Sequence, residues 1–477
     1  MNVIFLMDDQ HHPEAISCLR GCPKGVDGKP LVETPNLNRL VAQGVRFSHA
    51  YTPTAICSPS RTCFFTGMYP FAHGHYGNNI DVPLDTDIPS LAHEFQRRGY
   101  ATGVFGKCHL PNDLSKAFEV QHTLDSGEYR DYLARHGLSD AALQTPRSHN
   151  RFLTWTSRIP QEHSTEVWTA EHAISFLRQH QPGKKPFFAW VTFERPHAPH
   201  SPDAETEKLV HPDRVPLPWD DYELFEQTKL QPRPGPEDFW KLGAWENPGI
   251  FQQAVARYYS LIGLIDKQIG QILEALDAQG LAGETLVVFC PDHGDFGGEY
   301  GQLGKNVPVY EQLYKVPLLW CDPTRPQNHG KVVEGLWETI DLLPSLMERM
   351  GWDVAPRAQG YSFLRAIDGW RPTGREYVFA ETSMCRMIRT REHKLAFHLD
   401  RPDDGQLFDM LPHPDELHNR WHDPDCSTIR DKLIRRLLMH LMRYQQSRSH
   451  MGDWEPLAPT RYNKAKGALT HGKADFI

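Results

Sequence analysis

Short apolar runs alternate with longer amphipathic stretches through the first two thirds of the chain. Val3-Ile4-Phe5-Leu6-Met7 is β-rich and stopped by acidic residues, the pattern of a strand buried on both faces. Ala101 to Phe105, Pro186 to Phe193 and Thr285 to Cys290 read as further strands. Between them the spacing changes to the helical period. Pro35 to Gly44 carries Leu37, Leu40 and Val41, with proline at its start and glycine at its end. Ile88 to Arg98 and Thr165 to Gln179 follow the same rule. The longest helix is expected over Phe251 to Gln279, stopped by Gly280 and Gly283. Helix and strand alternating in this way predict an α/β fold, a mainly parallel sheet with helices on both faces.

The pattern changes twice. His197 to Pro248 is rich in proline and aromatic residues with little periodicity, a long ordered loop or a surface excursion over the sheet. Trp219, Tyr222, Trp240 and Trp245 lie in it, placed to stack on a sugar or aryl ring or simply to pack the loop. After Trp370, Glu376 to Glu381, Arg386 to Thr390 and His393 to Leu399 read as short strands with tight turns. Ser427 to Gln446 is an amphipathic helix carrying Ile429, Leu433, Leu437 and Leu441. The expected division is a catalytic domain over 1–370, an antiparallel sheet with one helix over 371–446, and a polar tail over 447–477 that is mobile or packs on another subunit.

Composition narrows the classes. A net charge of −9 argues against nucleic acid as a partner. No apolar run approaches a membrane span, and Val3 to Met7 is too short for a signal peptide. Nine scattered cysteines without a framework fit a reduced, cytoplasmic protein. Cys18 and Cys22 lack a second pair at zinc-site spacing and read as unrelated thiols.

The chemistry gathers at the ends of the strands, where parallel sheets bind ligands. The first strand ends at Asp8-Asp9-Gln10, the next at Gly106-Lys107-Cys108-His109, then Glu194-Arg195-Pro196-His197, then Pro291-Asp292-His293-Gly294-Asp295. Cys57-Ser58-Pro59-Ser60-Arg61 opens a helix: Pro59 suits the first turn and Gly67 the end. Cys57 therefore stands at a helix N-terminus, a place favourable to anions, as a reactive group or as a buried packing thiol. Asp9, Gln10 and Asp292 are oxygen donors for a hard divalent cation, Ca2+ first; the His293 nitrogen widens the choice toward Mn2+. Lys107, His109, His197 and Lys305 would make the pocket cationic and suited to a tetrahedral oxyanion such as sulfate, phosphate or phosphonate. Taken alone, any one of these lysines or histidines reads as solvated surface before it reads as a site residue; it is their gathering at the strand ends that points to a site.

Together these residues resemble the formylglycine-dependent sulfatases of the alkaline phosphatase superfamily. Cys57 to Arg61 is similar to their Cys-x-Pro-Ser-Arg signature, extending to Thr66-Gly67. Gly106 to His109 resembles their Gly-Lys-Trp-His element, and Pro196-His197-Ala198-Pro199 their Pro-His-x-Pro element. Pro291 to Gly294, Lys305 and the stretch Gln406 to Met410 with Pro414, Glu416 and Asn419 fall in the family's order. The resemblance implies an α/β/α sandwich with a small C-terminal α+β subdomain. It implies oxidation of Cys57 by a formylglycine-generating enzyme to an aldehyde, whose hydrate attacks sulfur; the second hydroxyl then expels sulfate. It implies a metal held by Asp9, Gln10, Asp292, His293 and the converted Cys57. Arg61 would hold the hydrate, Lys107 and Lys305 the sulfate oxygens, His109 would take a proton, and His197 would serve the leaving oxygen. Asn78 would be a further contact to the anion. The expected substrate is an aryl or carbohydrate sulfate monoester, and a homo-oligomer is open.

Two departures bear on the substrate. The first metal pair is Asp9-Gln10 rather than two aspartates, and the second Asp292-His293 rather than Asp-Asn. Both resemble the phosphonate monoester and phosphodiester hydrolases of the same superfamily, which keeps that activity as the alternative. Cys108 stands where the family carries tryptophan, a change expected to affect packing only.

Overall fold

The computed structural model describes residues 1–85, 88, 90–142, 154–228, 248–305, 309–370, 374–399 and 401–448. Trp240, Trp245 and the tail beyond 448 fall outside the described residues, as do the side chains of Trp219 and Tyr222. In chain order the strands are β1 (Asn2–Asp9), β2 (Val45–Tyr51), β3 (Ala101–Gly106), β4 (Val120–Thr123), β5 (Phe187–Pro196), β6 (Thr285–Phe289), β7 (Lys315–Val316), β8 (Leu319–Cys321), β9 (Lys331–Glu338), β10 (Tyr377–Glu381), β11 (Cys385–Thr390), β12 (His393–His398) and β13 (Arg401–Asp409). The helices that matter here are α1 (Pro35–Gln43), α2 (Cys57–Thr66), α3 (Leu91–Gln96), α4 (Thr165–Leu177), α5 (Trp219–Thr228), α6 (Pro248–Ala278), α7 (Leu342–Arg349) and α8 (Ser427–Arg448).

The large sheet runs β4-β3-β5-β1-β6-β8-β2-β7, with β9 beside β2. From β4 through β6 every pairing is parallel; β8 then runs antiparallel to both β6 and β2, while β2 and β9 are parallel. β1 lies at the centre, with Phe5 opposite Trp190 on one side and Val288 on the other. Its residues alternate between two cores, as a period of two requires. Val3, Phe5 and Met7 pack with Phe64 and Phe65 of α2 and Leu342, Leu343, Leu346 and Met347 of α7. Ile4 and Leu6 face the other way, toward Ala170, Ala173 and Phe176 of α4 and Ile265, Ile269 and Ile272 of α6. This is the expected α/β/α sandwich. The run Val3–Met7 shows no polar alternation because both of its faces are covered.

The second sheet is antiparallel, β10-β11-β12-β13, and α8 packs on it through Leu433 and Leu437. Three of its strands follow the expected segments. β13 is hidden by a start in Arg401-Pro402-Asp403-Asp404-Gly405, residues that read as a turn. The stretch expected to be irregular holds a further element, α5. The helix expected from Ile88 begins only at Leu91. Among the described residues, no helix is long and apolar enough to cross a membrane.

Candidate active site

All ten residues of α2 are buried. The helix is entered from Ile56 in an extended conformation (φ −115°, ψ 129°) and left through Gly67 in the left-handed region (φ 65°), whose N–H bonds the Cys63 carbonyl. Its first residue is Cys57. Ile56 supplies no side-chain cap. Instead the Asn78 amide oxygen accepts the Ser58 N–H at 3.2 Å, and His75 Nε2 lies 2.7 Å from the Ser58 hydroxyl. Burial, with the charge of His109 added, pushes His75 down to about 4, so its imidazole is neutral near pH 7. Ser60 ties the helix to the sheet by donating to the Asp292 carbonyl at 2.5 Å.

The strand ends converge on Cys57. Asp9 ends β1, and its Oδ1 lies 3.6 Å from Cys57 Sγ; His293 Nε2 lies at 3.4 Å and Lys305 Nζ at 3.0 Å. Lys107 follows β3 and pairs with Asp9 Oδ2 at 2.7 Å. Arg61, fully buried over the face of Trp190, bridges the carboxylates, at 3.0 Å to Asp9 Oδ2 and 2.9 Å to Asp292 Oδ2. Its remaining donors reach Thr192 Oγ1 at 2.8 Å and the carbonyls of Lys107 and Cys108. Arg61 thus grips the acids, and its reach to Cys57 is electrostatic.

Burial alone would push the Cys57 thiol up. Lys305, Lys107, His293 and a hydrogen bond from His109 outweigh it and hold the thiol well below its ordinary range. Burial and Cys57 likewise push Asp9 up, but Lys107, His197 and Arg61 hold its carboxyl below the usual carboxylate range. Asp292 goes the other way, raised by burial and by Asp9. His293 is raised: burial works against its charge, but Asp292 beside it prevails. The site is therefore built for negative charge at residue 57.

Ligand atoms of Asp9, Cys57, Asp292 and His293 lie within 4.8 Å of one another. Gln10 adds an amide whose Oε1 is buried and has no hydrogen-bond partner among the described residues. Two carboxylates, an amide oxygen in need of a partner and one imidazole fit a hard divalent cation.

The remaining expected residues stand as follows. The His109 ring reaches Cys57, its backbone N–H is held by Asp125 at 2.8 Å, and its Nδ1 is buried without a partner among the described residues. His197 is half-buried; its N–H bonds the Asp9 carbonyl at 3.1 Å and its Nδ1 the Ala198 carbonyl at 2.6 Å. Asn78 spends its oxygen on the helix start. Cys108 packs in the core, its thiol pushed up to about 12 by burial. Three contributors receive no role from the sequence, although Asp295 stands in the run that follows β6. Thr192 links Arg61 to the Lys107 carbonyl, Tyr258 donates to the Gln10 carbonyl at 2.8 Å, and Asp295 accepts from Gln10 Nε2 at 2.5 Å.

A family model described as Sulfatase matches residues 2–352. The chain belongs to the sulfatase family. A second model, N-sulphoglucosamine sulphohydrolase, C-terminal, matches residues 298–443 of this sulfatase. An arylsulfatase of Clostridium perfringens is 28% identical over 472 residues, covering 92% of this chain and 94% of its own length. Among solved structures, a phosphonate monoester hydrolase of Agrobacterium radiobacter superposes with a TM-score of 0.78 at 23% identity, covering 93% of this chain and 96% of that one. A protein solved with its substrate D-glucosamine-2-N,6-O-disulfate gives 0.72 at 20% identity, covering 93% and 98%. These two likenesses establish a shared fold. Family membership makes this sulfatase a sulfuric ester hydrolase.

Proposed function

We propose that this sulfatase hydrolyses a sulfate monoester through the hydrate of an aldehyde made from Cys57. The observation that carries the reading is the setting of Cys57: the first residue of a buried helix, with Lys305 at 3.0 Å and Asp9 at 3.6 Å. A thiol has no second hydroxyl with which to expel sulfate; the hydrate has. Asp9, Gln10, Asp292 and His293 would hold the divalent cation. When bound, the cation withdraws charge from the sulfate and lowers the pKa of the attacking hydroxyl.

The chain's own groups divide the remaining work. Lys107 and Lys305 supply positive charge beside Cys57, where sulfate oxygens must lie. Arg61 holds the two carboxylates in register. His109, in hydrogen-bond contact with residue 57, takes the proton when sulfate is expelled. His197 anchors its Nδ1 on a carbonyl, which leaves Nε2 for the leaving oxygen. The leaving group is an aryl or sugar alcohol: the Clostridium perfringens relative is named an arylsulfatase, and a structural neighbour holds a sulfated glucosamine.

One observation favours a second reading. Gln10 and His293 leave only Asp9 and Asp292 as carboxylates in the ligand group, so a bound cation is less neutralised, which favours phosphoryl oxygens as well. The test is kcat/KM for an aryl sulfate against an aryl phosphonate monoester. Preference for the sulfate is expected; preference for the phosphonate would assign the site to the second reading.

A further inference from the structure

We propose that Asp295 is a positioning residue whose single carboxylate fixes both the orientation of the Gln10 amide and the loop that carries Lys305. The inference rests on the reading of Gln10 as a metal ligand and Lys305 as a sulfate contact. Asp295 is fully buried. Its Oδ1 accepts the N–H groups of Gly297 at 2.7 Å and Gly304 at 3.0 Å, closing the loop immediately before Lys305. Its Oδ2 accepts from Gln10 Nε2 at 2.5 Å.

Each arm needs this anchor. The Gln10 backbone is already fixed: its N–H bonds Asp292 Oδ1 at 3.1 Å, its carbonyl takes the Tyr258 hydroxyl, and its φ is 71°. What remains free is which end of the amide points inward. A carboxylate only accepts, so it draws the nitrogen and leaves Oε1 as the opposite end, the orphaned buried acceptor described above. The loop side is costly to order, because Gly297, Gly298, Gly301 and Gly304 all have positive φ. A second clip, His12 Nε2 to Glu299 Oε1 at 3.1 Å, joins the same loop to the residues just past β1. Ligand orientation and the sulfate grip are thereby set by one group.

The chemistry makes a sharp substitution test. Three donors converge on Asp295, and both of its oxygens are used. In D295N one end becomes an NH2 group. If that group faces Gln10, two donors meet and the Gln10 amide turns over, placing nitrogen inward. If it faces Gly297 and Gly304, the loop loses its closure. The paired variant Q10E/D295N satisfies every partner. The amide introduced at 295 now donates to the carboxylate introduced at 10, so the bond between the two positions runs in reverse. The oxygen of that amide keeps both glycines, and the second oxygen of the new carboxylate takes the place of Oε1.

Titration calorimetry with Ca2+ alone, and with inorganic sulfate alone, on wild type, D295N, Q10A and Q10E/D295N reads both arms without turnover. D295N is expected to weaken binding of at least one probe by about tenfold or more, and Q10E/D295N to restore it. Wild-type affinity of D295N for both probes overturns the inference. So does a loss that Q10E leaves unrepaired, since a merely structural role would not depend on the partner. If D295N fails to fold while the paired variant folds, the pairing is supported by stability itself; if neither folds, the inference is wrong. Wild type that binds Ca2+ with Q10A unchanged removes the underlying reading of Gln10, a result distinguishable from failure at Asp295 alone.

Discussion

Two buried ionic clusters flank α2, and they are built on opposite rules. One lies where the large sheet meets the second sheet. There Arg375 pairs with Glu338 at 3.0 Å and with Asp341, while Glu338 also accepts from the Phe379 N–H at 2.7 Å and from the Tyr69 hydroxyl. Asp341 accepts from the N–H groups of Tyr361 at 2.7 Å and Glu338 at 2.9 Å. Nearby, Lys394 pairs with Glu416, and Arg389 with Glu311. The acids of this seam are closed off by protein donors, and they match or outnumber the cations. At the active site, Arg61 and Lys107 pair with Asp9 and Asp292, while Lys305 reaches Cys57 and His293. Gln10 Oε1 and His109 Nδ1 are left there without partners among the described residues. Burial of charge is common to both; among the described residues the unpartnered atom of the seam is a neutral hydroxyl, Thr339 Oγ1, whereas those of the active site are a would-be ligand oxygen and an imidazole nitrogen, and that marks the network that awaits ligands.

The largest expected effect comes from the open cluster. Cys57→Ser keeps a nucleophile but removes the second hydroxyl of the hydrate. Steady turnover should fall by about 10⁴-fold or more, with a peptide sulfated on the introduced serine accumulating in mass spectra. Sustained turnover without that adduct would break the two-hydroxyl argument. Lys305→Ala should lower kcat/KM by about 10²–10³ while leaving the melting temperature unchanged or raised, since half-buried Lys305 works against the charge of His293 beside it. The closed cluster should answer in the reverse way. Arg375→Ala strips a cation from two buried acids and should cost about 3–5 kcal/mol of stability, read by denaturant unfolding, with kcat of the folded fraction retained. If Lys305→Ala unfolds the protein and Arg375→Ala only slows it, the distinction between the clusters is wrong.

A smaller effect concerns pH. Burial, only partly offset by Arg375, raises Glu338 from 4.5 to about 7. The folded state then holds a proton that the unfolded chain has released. Stability from this group is full below 4.5 and is lost as pH rises toward 7, at a slope of up to about 1.4 kcal/mol per unit. Glu338→Gln should flatten that slope in unfolding curves at about pH 5, 6 and 7; an unchanged slope would mean that Glu338 is ionised throughout. The smallest effect is at the helix start. Asn78→Ala removes the acceptor for Ser58 N–H and should cost about 1 kcal/mol of stability.

The two regions also differ in how much of them the sequence reveals. β1, β3, β5 and β6 are legible because burial on both faces makes them continuous apolar runs. β2 is not: its burial alternates irregularly over Val45-Arg46-Phe47-Ser48-His49-Ala50-Tyr51. β7 and β8 are two and three residues long, too short to carry a period. The active-site residues can be read because strand ends and a helix start place them beside recognisable local patterns. Asp295 stands in the same run as Asp292, yet its partners Gln10 and Gly304 are set by the fold. Tyr258 sits on the helical face that reads as core, and only the tertiary structure brings its hydroxyl to Gln10. The seam is silent for the same reason: Glu338, Asp341 and Arg375 carry no motif, and their pairing is a product of how the two sheets meet.

The central claim is that the open cluster serves an aldehyde hydrate at residue 57. Peptide mass spectrometry of protein from the native host, alongside aryl sulfate turnover of the same sample, tests it most directly. The account predicts an aldehyde in place of the thiol at residue 57, in a fraction that tracks activity. Full sulfate turnover by protein in which Cys57 is entirely a free thiol would contradict it.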